Sequence, residues 1–145
     1  MIIVAVIVAV LAAASVPRFA RTAERFRSEQ AVLALVQQLR YARDRAVGTG
    51  LAVEWIWDPA QRCGRLEALT PDGYAPLTDR FSRNRALPPA LTATLTDQDD
   101  GRITFFQDGT SEPASLQLAS AQRTYTITVD AVTGQITLAT GLTAR

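Results

Sequence analysis

The sequence predicts an α+β protein in which one long N-terminal helix packs on an antiparallel β-sheet or sandwich. Three observations support this fold class. Residues 1–17 are uncharged and apolar except for Ser15, residues 18–50 keep the spacing of an amphipathic helix, and from residue 51 apolar side chains alternate with polar ones. We therefore divide the chain of 145 residues into a first helical segment at 1–17, a second at 18–50 and one β-rich head at 51–145.

The first segment is a candidate transmembrane helix. From Ile2 to Val16 it spans roughly 22 Å as a helix, against a hydrocarbon core of about 30 Å. A cleaved secretory signal is the alternative, because the small residues at 12–15 resemble a cleavage zone. No positively charged region precedes the apolar run and the helical pattern continues beyond Ser15, so we predict that the segment is retained. The residues expected to form this transmembrane or assembly helix are Ile2, Val4, Val6, Val8, Val10, Ala13, Val16, Pro17 and Phe19.

The second segment carries an apolar stripe with three- and four-residue spacing, which predicts one buried helix face. Its members are Phe19, Ala23, Phe26, Val32, Leu35, Val36, Leu39, Ala42 and Ala46. The other faces carry polar side chains, among them Gln37, Gln38, Arg40 and Arg43. Gly48 and Gly50 follow the stripe and predict that the helix, which begins at Ile2, ends at about Val47. We expect either a kink or a simple helix boundary at Pro17.

The head is predicted to contain six or seven short strands joined by hairpin-like turns. The segment "LAVEWIWD" puts Leu51, Val53, Trp55 and Trp57 on one face and Glu54 on the other. Further strands are predicted at 65–70, 90–96, 102–106, 115–120, 124–130 and within 131–139, with turns at 71–73 and 97–101. The polar, arginine-rich residues at 78–90 predict a loop. This spacing favours a mostly antiparallel sheet or sandwich.

Composition excludes several classes of function. The chain has no His, which removes the commonest general base and metal ligand, and its one Cys allows neither an intrachain disulfide nor a thiolate zinc site. Seven Arg against three acids give residues 1–50 a charge of +4, and eight Arg against eleven acids give residues 51–145 a charge of −3. Because the net charge is only +1, no strong attraction to nucleic acid is expected. We expect no enzyme activity, no metal and no cofactor.

A few side chains in the head are candidates for roles beyond packing. Arg80, Arg83 and Arg85 cluster in one loop and form a candidate polar contact site, which would also be the place for any contact with DNA. The two Trp side chains of "LAVEWIWD" suit the core better than a ligand platform. Cys63 lies between two predicted strands, where a free thiol is the expected state.

The order of these features resembles the type IV pilin-like proteins, and most closely the GspH/FimT group of minor pseudopilins and minor pilins. The resemblance lies in the apolar helix that ends in "VPRF" at 16–19, in "LRYARDRAV" at 39–47, in "F-x-x-DGT" at 105–110 and in "VTGQITL" at 132–138. It covers nearly the whole chain and is weakest over 72–100. It implies a pilin-like fold, with the long helix lying against a β-rich head.

The resemblance also implies a structural subunit rather than an enzyme. In this group the helix is first anchored in the bacterial inner membrane, with the head in the periplasm, and then packs with the helices of other subunits. This implies a minor pseudopilin of a type II secretion system, near the tip of a periplasmic pseudopilus that it helps to initiate or cap. The alternative is a minor type IV pilin of the FimT/FimU kind, in pilus biogenesis, twitching or DNA uptake. Its partners would be other pseudopilins or pilins and the inner membrane, with nucleic acid disfavoured.

Members of this group also carry a short basic leader that ends in Gly. A prepilin peptidase removes it, and the mature chain then starts with a motif that resembles Phe-Thr-Leu-Ile-Glu. The present sequence begins just inside that motif, with Met1 in the place of the residue after the Glu. We therefore expect an upstream start codon. The peptidase and N-methylation apply to this chain only if such a leader exists.

Overall fold

The computed structural model describes residues 2–142, and along the N-terminal helix it describes the side chains at positions 3, 4, 6 and 7 and from 22 onward. Helix α1 runs from Ile2 to Thr49 and continues through Pro17, so a simple boundary there is wrong and a kink stays a prediction. Of the predicted assembly residues, Val4 and Val6 are exposed. The others lie outside the described side chains, namely Ile2, Val8, Val10, Ala13, Val16, Pro17 and Phe19. We predicted that the first part of α1 crosses a membrane; within the described part of the chain, no helix combines the length and the apolarity that a crossing requires.

The apolar stripe of α1 packs on the head only from the middle of the helix onward. Its buried members confirm the predicted face and are Val32, Leu35, Val36, Leu39, Ala42 and Ala46. Ala23 and Phe26 are exposed, Phe26 by 60%, so the stripe is not buried as one continuous face. Among the described side chains of the helix, Ser28 is the first that is buried. Gly50 ends the helix in a left-handed conformation (φ +68°) and donates its N–H to the Ala46 carbonyl at 3.0 Å.

The head, residues 51–142, contains eight strands in the part of the chain that the structure describes, where the sequence predicted six or seven. They are β1 (Val53–Asp58), β2 (Cys63–Thr70), β3 (Gly73–Pro76), β4 (Thr92–Thr96), β5 (Arg102–Phe105), β6 (Ala114–Ala119), β7 (Arg123–Val129) and β8 (Ile136–Leu142). Strand β3 was missed because it is short, ends in Pro and lies at a sheet edge, where pairing with β2 rather than apolar alternation defines it. Leu51 precedes β1 and is exposed, so its predicted place on the inner strand face is wrong.

The strands form two antiparallel four-stranded sheets, in the orders β3-β2-β1-β5 and β4-β6-β7-β8. Helix α1 and both sheets share one hydrophobic core. Its largest fully buried side chains include Leu39 from α1, Trp55 from β1, Phe105 from β5, Leu118 from β6 and Ile127 from β7. Burial of each such side chain stabilises the fold by about 1.5–3 kcal/mol, so this core is what joins the helix to the sheets. The predicted α+β fold with antiparallel sheets is confirmed.

The turns that contain "F-x-x-DGT" at 105–110 and "VTGQITL" at 132–138 meet beside the end of α1. Asp108 and Asp130 each accept hydrogen bonds from the backbone N–H groups that follow them, which shapes the two turns. Gly134 has a φ of +60°, and an added Cβ would collide with the carbonyl oxygen of Gly109. Gly109 in turn lies close to Val47. Turn geometry and close packing therefore account for these motifs.

Candidate assembly surface

An arginine-rich loop, residues 77–91, connects β3 to β4 and lies against α1; we call it the arginine loop. Its first half is held by Asp79, whose Oδ1 accepts hydrogen bonds from the N–H groups of Phe81 (3.1 Å) and Ser82 (3.0 Å). The hydroxyl of Tyr41 on α1 donates to the other Asp79 oxygen, and Ser82 Oγ donates to the Asp79 carbonyl (2.9 Å). The Tyr41 bond attaches the loop to the helix, and the other bonds fix the shape of the turn within the loop.

The amide of Gln38 joins α1, both central strands of the first sheet and the arginine loop. Its Nε2 donates to the carbonyls of Gly64 (3.1 Å) and Ser82 (3.5 Å), and its Oε1 accepts from Trp55 Nε1 (3.0 Å). Gln38 is only 6% exposed, so its predicted place on an outer polar face is wrong. An amide can be buried when donor and acceptor both find partners, and helical spacing gives no sign of such partners.

The second half of the arginine loop is held by Arg62, which precedes β2. The N–H of Leu87 donates to the Arg62 carbonyl at 2.8 Å. The Arg62 guanidinium donates to the Pro88 carbonyl at 3.0 Å and also to the Leu91 carbonyl. Leu87 and Leu91 are buried in the core. Both halves of the loop are therefore anchored, and the residues between the anchors are presented on a fixed backbone.

A groove of about 720 Å³ lies between the arginine loop and α1; we call it the arginine groove. The arginines that line it are Arg27, Arg80, Arg83 and Arg85. Ala31, Ala34 and Leu35 of the helix supply apolar lining. Phe81 also lines the groove, with 66% of its surface exposed and its ring centroid 5.5 Å from that of Tyr41. The three loop arginines are close together in the sequence, whereas Arg27 of α1 comes close to them only in the folded chain.

The arginines of the groove form no ion pair with any residue that the structure describes. The described ion pairs join Arg25 to Glu29, Arg65 to Glu67, Arg102 to Glu54 and Arg123 to Glu29.

One of these pairs corrects a prediction, because Glu54 was expected on the outer strand face but is only 8% exposed. The neighbouring strand β5 supplies the partner that makes this burial tolerable, since Arg102 donates to Glu54 Oε2 at 2.9 Å.

The aromatic and thiol candidates lie in or next to the core. Trp55 is fully buried, and Trp57 is half-buried with its ring stacked at a centroid distance of 6.1 Å. Their packing agrees with the predicted core role rather than with a ligand platform. Cys63 is a free thiol, 3% exposed, and burial raises its pKa.

The attachment of the arginine loop is expected to weaken at acid pH. Burial disfavours the charged Asp79 carboxylate, but the hydrogen bonds from Tyr41, Ser82 and Phe81 outweigh this and hold its pKa below the ordinary value of 3.8. A group whose pKa is lowered by folding stabilises the protein above its unfolded pKa, and this contribution is lost as the pH falls through the folded pKa. The unfolding midpoint of Asp79→Asn should therefore lie below that of the wild type at neutral pH, with a difference that shrinks below about pH 3.8. A difference that stays constant across this range would contradict the assignment.

The structure lays one helix along two antiparallel sheets and exposes apolar side chains on the part of the helix that leaves the head. This combination defines the class of pilin-like assembly subunits. Residues 31–134 match the family model described as Type II transport protein GspH, and the chain belongs to this family. The predicted membership of the GspH/FimT group is thereby confirmed.

Known proteins of this kind are similar in sequence and in structure. Type II secretion system protein H of Xanthomonas campestris pv. campestris is 33% identical over 110 residues, which cover 71% of this chain and 57% of that protein. The match thus spans less than two thirds of that relative. The minor pseudopilin EpsH from the Type 2 Secretion System of Vibrio cholerae superposes with a TM-score of 0.67 at 16% identity, over 77% of this chain and 95% of that chain. The type IV minor pilin FimU of Pseudomonas aeruginosa superposes with a TM-score of 0.63 at 20% identity, over 80% and 90% of the two chains. These two structures share the fold.

Proposed function

We propose that the protein is a minor pseudopilin of a type II secretion system. It acts as a structural, non-enzymatic subunit that initiates or caps the periplasmic pseudopilus. The observation that carries this proposal is the match of residues 31–134 to the GspH family, which takes in residues 31–49 of α1 and strands β1 to β7.

The helix supplies the assembly element in this proposal. Its 48 residues extend about 70 Å at 1.5 Å per residue, whereas its described side chains are buried only from Ser28 onward. The exposed side chains on the uncovered part include Ile3, Val4, Val6, Ile7 and Phe26. Exposed apolar surface of this kind is unfavourable in water and favours contact with other apolar helices. We propose that residues 1–17 lie in the inner membrane before assembly and among the helices of other subunits afterwards, with the head in the periplasm.

The second candidate is a minor type IV pilin, which the similarity of fold to FimU favours. This function would place the same helix in a pilus that serves twitching or DNA uptake. DNA binding by the head is disfavoured because residues 51–145 carry eight Arg against eleven acids. The two functions differ in the process that fails when the subunit is absent.

Deletion of the gene in its host, followed by complementation with the full chain, tests the proposal. We expect deletion to leave exoproteins in the periplasm and complementation to restore them to the culture supernatant, measured by activity assays and immunoblots of both fractions. Twitching zones and DNA uptake, measured in the same strains, should stay unchanged. Normal secretion combined with lost twitching would overturn the proposal in favour of the minor pilin.

A further inference from the structure

The arginine groove concentrates positive charge on a head whose remaining surface is acidic. Residues 51–145 have a net charge of −3, yet three of their eight arginines lie in the arginine loop, and Arg27 of α1 faces the same groove. None of the four is paired within the part of the chain that the structure describes. Clustered like charges repel each other, so an anionic partner would relieve an unfavourable interaction as well as form new ones.

The backbone of the arginine loop is already fixed, so a partner that binds in the groove does not have to order it. The backbone between the anchors is held by Asp79 and Gln38 on one side and by Arg62 on the other. A partner therefore has to order the arginine side chains but not the loop itself. Binding to such a preorganised surface carries a smaller entropic cost than binding to a mobile loop.

The lining combines charge with apolar surface. Ala31 and Ala34 are small and leave room beside Phe81, whose exposed ring can cover an apolar side chain of a partner. The guanidinium groups of Arg83 and Arg85 can each donate two hydrogen bonds to the oxygens of a carboxylate in a bidentate arrangement. The combination matches a peptide segment in which an apolar residue is flanked by Asp or Glu.

We propose that the arginine groove docks an acidic segment of a neighbouring pilin-like subunit, with one apolar side chain against Phe81 and flanking carboxylates on the arginines. The identity of the neighbour rests on the proposed function; the chemistry of the groove does not. A short segment ends within the groove, whereas a long nucleic acid would continue over a surface of net negative charge. A flat anionic membrane can reach the exposed arginines but not the apolar lining between loop and helix.

Fluorescence anisotropy with the full chain in detergent micelles tests the chemistry. The probe is a labelled synthetic peptide with one Leu flanked by Asp and Glu, and the control peptide carries Asn and Gln instead. We expect the acidic peptide to bind, with an affinity that falls as salt is added. The double variant Arg83→Gln/Arg85→Gln should lower this affinity about tenfold, as expected for the loss of two charge pairs. Arg45→Gln/Arg65→Gln removes the same charge outside the groove and should lower it less than about twofold.

Three results would overturn the docking proposal. The first is equal binding of the acidic and the neutral peptide. The second is an equal loss of affinity in both double variants, which would show a bulk charge effect. The third is displacement of the peptide by a single-stranded oligonucleotide, or by phosphatidylglycerol added to the micelles, at lower concentrations than the unlabelled peptide itself. Unchanged thermal unfolding of both variants shows that neither change acts through the fold.

Crosslinking in the secreting host tests the identity of the neighbour. A photoreactive phenylalanine analogue at position 81 should crosslink to a carboxylate-rich stretch of another pilin-like subunit, identified by mass spectrometry. If the wild-type chain restores secretion but the crosslink is absent and Arg83→Gln/Arg85→Gln also secretes normally, the docking proposal fails while the proposed function stands. If the wild-type chain does not restore secretion, the proposed function fails, and the peptide measurements still decide what the groove binds.

Discussion

Replacement of Trp55 by alanine is expected to lower the free energy of unfolding of the head by about 3–5 kcal/mol. Trp55 is fully buried in the core that α1 shares with both sheets. Its removal leaves a large cavity and takes away the N–H group that donates to Gln38 Oε1. Urea denaturation followed by far-ultraviolet circular dichroism measures the change. Trp57→Ala is the matched control, and because Trp57 is only half-buried we expect a loss of about 1–2 kcal/mol.

A double-mutant cycle shows whether the Trp55 ring acts through the contacts described. An added Cβ at Gly64 would overlap the Trp55 indole, so Gly64→Ala should cost about 1–3 kcal/mol in the wild type. In the Trp55→Ala background the cost should nearly vanish, because the ring is absent. Gly48→Ala is the control for a glycine in open space, because no atom lies where the Cβ of residue 48 would be. It should stabilise the helix by about 0.5–1 kcal/mol. An equal cost of Gly64→Ala in both backgrounds would contradict the packing.

Replacement of Ile7 by glutamate is expected to abolish assembly without affecting the head. Ile7 is exposed on the uncovered part of α1, and the proposed function places it in an apolar environment among other helices. A charged residue in such an environment costs about 2.5–3.5 kcal/mol, which lowers incorporation on the order of 100-fold. The amount of exoprotein in the supernatant of the complemented deletion strain measures this effect, and shearing and immunoblotting of the filament measures incorporation directly.

Two control variants separate the position of the charge from its presence. Ile7→Leu keeps the apolar surface and should secrete normally. Leu33→Glu makes a comparable change at an exposed position on the part of α1 that packs on the head, and we expect a change within about twofold, typical of surface substitutions. All three variants should unfold at the same temperature as the wild type, since none of these residues lies in the core. Normal secretion by Ile7→Glu would contradict the assembly role of this segment.

Much of the architecture follows from local patterns in the chain. The three- and four-residue spacing located the buried face at Val32 to Ala46, and alternation located most strands to within a few residues. Such patterns depend on neighbours in sequence, so they are visible without a fold. Strand β3 was missed for the corresponding reason, because pairing with β2 defines it. The exposure of Phe26 was missed because the spacing of a stripe does not show where the covering head ends.

The candidate site could be predicted only in part. The clustering of Arg80, Arg83 and Arg85 is a property of one short loop and is visible in the sequence. The contribution of Arg27 and the anchoring by Gln38 could not be found in this way, because both residues lie on α1 and are far from the loop in the sequence. Gln38 is 44 residues from Ser82, and Arg27 is 53 residues from Arg80.

The order of residues is sufficient to establish one long helix, a β-rich head and membership of a pilin-like group, because periodicity and short motifs are properties of neighbouring residues. How far the head covers the helix, which polar groups are buried and which charges face one groove are settled only when distant segments meet. Gln38 illustrates the difference, since its burial is tolerable only because Trp55, Gly64 and the arginine loop bring their hydrogen-bonding groups to the same point in space.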